Sequence, residues 1–178
     1  IGNHMPYAVG LFLTSKGVKD PNLQMGWGES HHFNLRNRLI IPIIENGVKV
    51  TWVARSVTGA IPKEISGPYK SNYLYNLDGV EIGKPVVIVE GIFDCEAVKR
   101  TWVNCVAVLG SHISEIQVGK LLAKKPSKIL LLFDGDEAGR AGALKAYIGF
   151  YNRTETLVEI IKLPVEKDPD DLPLEEMQ

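Results

Sequence analysis

"KILLLFDGDEAGRAGALKAY", residues 128–147, is the stretch on which the fold turns. Its first six residues form an apolar run of strand length. The run ends at Asp134 and Asp136, which flank Gly135. Ala141, Leu144, Ile148 and Tyr151 then recur at helical spacing. A buried strand that passes straight into a helix is the repeating unit of an α/β protein.

The same alternation extends outward on both sides. "PVVIVE" (85–90) reads as a strand and "FDCEAVKRTW" (93–102) as a helix. "NCVAVLG" (104–110) is again strand-like. "SEIQVGKLLAKK" (114–125) reads as a helix, with Ser114 as its cap and lysines in its last turn. "TLVEIIKLP" (156–164) is a further strand, stopped by Pro164. Near-continuous apolar strands separated by helices predict a mostly parallel sheet covered on both faces. Ligands of such sheets bind outside the carboxyl ends of the strands. Glu90, the Asp134/Asp136 pair and the acids of "DPDD" (168–171) all fall there.

The first half reads differently. "NRLIIPIIENGVKVTWVARSV" (37–57) predicts two strands around an Asn-Gly turn. Residues 58–72, rich in Gly, Pro and Ser, read as loop. A subdomain boundary is expected near residue 80. It separates an N-terminal α+β part (6–80) from a sheet domain (81–178). Residues 1–5, "IGNHM", read as a cloning remnant.

Composition sets outer limits. The chain has 178 residues, 45% of them hydrophobic, enough for one core or two small ones. No stretch approaches the roughly 18 apolar residues of a membrane span, so no membrane partner is expected. Cys95 and Cys105 lack zinc-site spacing and read as small buried side chains of a reducing compartment. The net charge of −1 conceals a basic first half and an acidic second half. That asymmetry hints at a polyanionic partner beside a cation-binding site.

The acids suit a hard cation. Magnesium typically takes one or two protein carboxylates and completes its shell with water and substrate phosphate. Asp134 and Asp136 can both turn toward one ion, with Glu90 facing them from another strand. Gly135 would remove a side chain that crowds the metal. One ion or two would fit such a site, and Asp136 could equally cap the helix that follows.

The order of strand–"EGIFD" (90–94), strand–"LGS" (109–111), strand–"DGDEAGR" (134–140) and strand–"LP"–"DPDD" (168–171) resembles the Toprim domain. That domain is shared by bacterial-type primases, topoisomerases, nucleases and repair proteins. "NLRNRLIIPIIENG" (34–47), "VARSV" (53–57), "PK" (62–63) and "YLYNL" (73–77) further resemble the segment that precedes Toprim in DnaG-type primases. Together the resemblance covers roughly residues 34–172. It implies an RNA polymerase core that joins ribonucleoside triphosphates on a single-stranded DNA template, with Mg²⁺ or Mn²⁺ as cofactor. It also implies a replicative helicase or other replication protein as partner and a cytoplasmic setting of bacterial, phage or plasmid origin. Glu90, Asp134 and Asp136 are the implied catalytic residues. With Asp94, Asp168 and Asp170 they form the implied metal set. Arg36, Arg38, Arg55, Lys63 and Lys70 are the implied contacts to template and nucleotide.

Three departures from the family pattern leave open a fragment, a compact version or a relative without priming. No zinc module precedes the core, the N-terminal part is short, and no helical tail follows. A Toprim nuclease would share the acids. A non-catalytic DNA- or partner-binding module would be expected to have lost them. Asp171, His31 and His32 match nothing in the family and read as solvated or packing residues.

Overall fold

The computed structural model describes residues 7–16, 18, 26–27, 35, 37–102 and 104–169. Two four-stranded sheets organise it.

The first sheet is antiparallel. It comprises β1 (Gly26–Trp27), β2 (Arg38–Glu45), β3 (Val48–Ser56) and β4 (Glu64–Ser66), side by side in that order. The β2–β3 turn is the one expected from Asn-Gly. Asn46 at φ 53° and Gly47 at φ 73° both take the left-handed conformation of a tight hairpin. Asp78 clasps that turn, accepting from Asn46 N at 2.7 Å and Gly47 N at 2.9 Å. The segment expected to be pure loop contributes β4. Its three residues pair with β3 because Ser56 N and Gly67 N bond Lys63 O and Trp52 O at either end. A helix, α1 (Tyr7–Ser15), precedes this sheet.

The second sheet is parallel, as expected. Its strands are β5 (Val86–Val89), β6 (Cys105–Ala107), β7 (Lys128–Leu131) and β8 (Leu157–Ile160), in the order β6-β5-β7-β8. The crossovers carry α2 (Ile92–Val98), α3 (Glu115–Ala123) and α4 (Glu137–Tyr151). Period-two alternation divides each buried strand between two cores. Val86, Ile88, Val106, Val108, Ile129 and Leu131 face α3 and α4, against Val118, Leu121, Ala143, Ala146 and Phe150. Val87, Val89, Cys105 and Ala107 face α2 and, beyond it, Leu39, Ile41, Ile43 and Val53 of the first sheet. Thus α2 is buried along its whole length, with the two sheets on either side of it.

Polar bolts join the halves. Buried Glu45 accepts from Leu74 N at 2.9 Å and pairs with Lys120 of α3. Gln117, wholly buried, donates to Tyr73 O and Val108 O and accepts from Ser114 N. Ser114 caps α3 as expected. Among the described residues, no helix is long and apolar enough to cross a membrane.

Candidate active site

A cleft of about 240 Å³ opens at the carboxyl ends of the parallel strands, where the first sheet overhangs them. Chain order reverses at β5, which lies between β6 and β7, so the crevice expected at a topological switch point falls beside Glu90.

The acids reach it from separate elements. Glu90 follows β5, Asp134 follows β7, and Asp168 lies in the loop after β8. Glu90 Oε1 accepts from Asp134 N at 3.3 Å, which ties the two strand ends together. Burial, reinforced by the negative charges of Asp136, Asp94 and Asp168, raises the Glu90 pKa to about 7, and the hydrogen bond from Asp134 opposes this. Oδ1 of Asp134 is buried in the same cluster.

Two of the expected ligands also hold helix ends. Asp94 Oδ2 accepts from Gly91 N at 3.0 Å and fixes the start of α2. Asp136 is the N-cap of α4, and its Oδ1 accepts from Gly139 N at 2.7 Å. Capping uses one oxygen of each carboxylate. Asp170, Asp171, Arg36, His31 and His32 lie outside the described residues.

Gly135, between Asp134 and Asp136, is required by close backbone packing. A side chain there would collide with the backbone of Pro164 and Lys167. Gly135 N donates to Lys167 O at 2.7 Å, and Glu166 N to Gly135 O at 3.4 Å. The bare glycine lets the loop that carries Asp168 dock against Asp134. Gly139 likewise allows α4 to start directly over the Asp134 carbonyl.

The opposite wall is basic. Arg55 of β3, Lys63, Lys70 and Lys16 line it. The Arg55 guanidinium lies over the Phe93 ring, 5.6 Å from its centroid, and Phe12 of α1 meets that ring edge-on at 5.2 Å. Arg38 is buried and donates to Lys63 O at 3.4 Å, so its charge supports the loop that carries Lys63. Lys16, Glu64, Phe93 and Ser111 are cleft residues that the sequence reading did not single out. Glu64 stood beside the expected Lys63, whereas Lys16 directly follows a helix for which no period was read.

Among the described residues, no group of three or more His, Cys, Asp or Glu side chains is arranged to hold an ion unaided. The donor set nonetheless fits a hard divalent cation. Asp136, Asp94 and Asp168 crowd their negative charges around Glu90, a repulsion that a cation would relieve, and substrate phosphate would complete the shell.

A parallel sheet that gathers acids from three strand ends, against a basic wall, agrees with the Toprim resemblance of the sequence. Residues 87–173 match the protein-family profile for Toprim-like domains. Those residues form a Toprim-like domain, and the chain resembles the RNA polymerase core of DnaG-type DNA primases. It is 32% identical over 175 residues to a DNA primase of Clostridium acetobutylicum, covering 90% of this chain and 29% of that protein. A solved DnaG catalytic core superposes with a TM-score of 0.77 at 21% identity, over 92% of this chain and 67% of the other. A DnaG primase catalytic domain bound to single-stranded DNA superposes at 0.67 and 23% identity, over 94% and 55%. The chain thus spans under a third of the length of the curated primase it matches.

Proposed function

We propose that this chain is a DNA primase catalytic core, which joins ribonucleotides on a single-stranded DNA template. The observation that carries the reading is the cleft itself. Carboxylates from three strand ends face a wall of arginine and lysine across a space suited to a triphosphate.

In the reaction, the 3′-hydroxyl oxygen of one ribonucleotide bonds to the α-phosphorus of the next. The bond from that phosphorus to the bridging oxygen breaks, and pyrophosphate leaves with the electron pair. Asp134 and Asp168 are the residues that would hold Mg²⁺ or Mn²⁺, with the second oxygen of Asp136 and Asp170 as further donors. The ion supplies Lewis-acid stabilisation of charge developing on phosphate. Glu90, held near neutrality, is matched to accept the hydroxyl proton. Arg55, fixed on the Phe93 face, offers a pre-oriented fork to phosphate oxygens. Lys63 and Lys70 add positive charge along the path of the template and nucleotide. The neighbour whose solved form holds single-stranded DNA supports a DNA template. A cytoplasmic bacterial, phage or plasmid setting goes with this reading.

The test is primer synthesis from labelled ribonucleotides on single-stranded DNA, with and without Mn²⁺. Cation-dependent products are expected, falling roughly 100-fold or more in Asp134→Ala, the scale of losing one transition-state charge partner. Cation-dependent cleavage of the DNA without synthesis would instead assign a nuclease. Synthesis that Asp134→Ala leaves intact would overturn the site.

A further inference from the structure

We propose that Glu64 is an internal stand-in for substrate phosphate, a counterion that an incoming triphosphate displaces from Arg55 and Lys70. The inference rests on the phosphate-binding reading of the cleft. Among the described residues, Glu64 is the one acid on the basic wall; the cleft's other acids belong to the strand-end cluster. Its two carboxylate oxygens face two different cations, Oε2 toward Arg55 Nη1 at 3.9 Å and Oε1 toward Lys70 Nζ at 3.8 Å.

Both separations are too long for hydrogen bonds and well beyond the roughly 2.7–2.9 Å of a tight charge-assisted pair. The carboxylate therefore offsets the charge of both cations without saturating their donors. Arg55 makes the same point from its own side. Its Nε is buried and has no hydrogen-bond partner, although the guanidinium is packed on Phe93. A buried guanidinium N–H without an acceptor is costly, and a phosphate oxygen is its natural complement.

Exchange is sterically open. The Glu64 side chain is 36% exposed and Lys70 38%, whereas Arg55 is 15% exposed. The acid can swing to solvent while the arginine stays in place. Without an anion, Glu64 keeps neighbouring cations from repelling one another. With a triphosphate present, the same two cations are already gathered around one anion position. Glu64 then sets a threshold, because a ligand must out-compete a carboxylate at two positions. A single carboxylate or monophosphate does this less well than a polyphosphate.

The test is a calorimetric titration with inorganic tripolyphosphate at constant Mg²⁺, comparing wild type, Glu64→Gln and Glu64→Asp. No template or polymerisation is involved. Glu64→Gln should bind tripolyphosphate roughly threefold to tenfold tighter, the scale of two exposed ion pairs removed from competition. Glu64→Asp, which keeps the charge, should stay near wild type. Unchanged or weaker binding by Glu64→Gln, with its thermal unfolding unaltered, overturns the displaced-counterion role. Absence of tripolyphosphate binding in wild type itself would instead overturn the phosphate-binding reading of the cleft.

Discussion

At the residue scale, Glu90 concentrates the physics of the site. Its carboxyl is partly buried and faces three other acids, so its pKa rises from the usual 4.5 to about 7. A carboxyl raised on folding favours the folded state while protonated. That contribution is complete below about 4.5 and is lost as pH rises through about 7. Without divalent ions, thermal unfolding should therefore show the protein losing stability between pH 5 and pH 8. Glu90 is only partly buried, so solvent screening leaves roughly 1–2 kcal/mol as its share. Glu90→Gln should flatten that part of the profile, and an unchanged slope would mean that Glu90 is not the group responsible. The position of Glu90 and Asp134 was legible from sequence, because strand ends of a parallel sheet converge. Whether Asp136 caps the helix was not decided there. A helix cap and a metal ligand ask for the same residue at the same place, and only the bond to Gly139 N reveals the cap.

At the element scale, the site depends on loops docked against bare backbone. The loop at 164–168 reaches Asp134 only because Gly135 lacks a side chain. Gly135→Ala should push that loop away, cost roughly 1–3 kcal/mol of stability as an overpacked contact, and weaken Mn²⁺ binding by withdrawing Asp168. A calorimetric Mn²⁺ titration beside a thermal melt would check both; unchanged binding would show that Asp168 plays no part. The sequence reading saw this glycine but assigned it to the metal, since the loop that fills the space lies about thirty residues further on. Strand β4 and helix α1 were also missed. Strand β4 is three residues inside a Gly/Pro-rich stretch and owes its existence to pairing with β3. Helix α1 carries Gly10 and Thr14 within an apolar run of low amphipathic contrast, and is held by Val9 in the core and Phe12 against Phe93. Tertiary packing, which local pattern does not encode, decides both.

At the scale of the whole molecule, the two sheets share one hydrophobic cluster across α2, so the basic wall and the acidic strand ends are held at a set separation. The antiparallel sheet ends at Ser66 and the parallel sheet starts at Val86, while one core runs across both through Val53, Val87 and Phe93. Glu45 is the polar counterpart of that shared core. Glu45→Ala should cost about 2 kcal/mol, because it strands Leu74 N and removes the carboxylate from Lys120, which keeps its bond to Asn72 O. Denaturant unfolding should still be a single transition with a lower midpoint. Two separated transitions would show that the sheets fold independently. The charge asymmetry, basic before residue 80 and acidic after, was read as a polyanionic partner beside a cation-binding site, and contact between the halves was not read from it. The central claim is that this junction binds a divalent cation and a triphosphate as one unit. Electron paramagnetic resonance titration of Mn²⁺ with and without ATP tests it most directly. The expected result is Mn²⁺ binding that tightens when ATP is present, by the reciprocity of coupled ligands, and that falls at least about tenfold in Asp134→Asn, a buried charge lost from the site. Mn²⁺ and ATP binding independently, or Mn²⁺ affinity unchanged in Asp134→Asn, would contradict it.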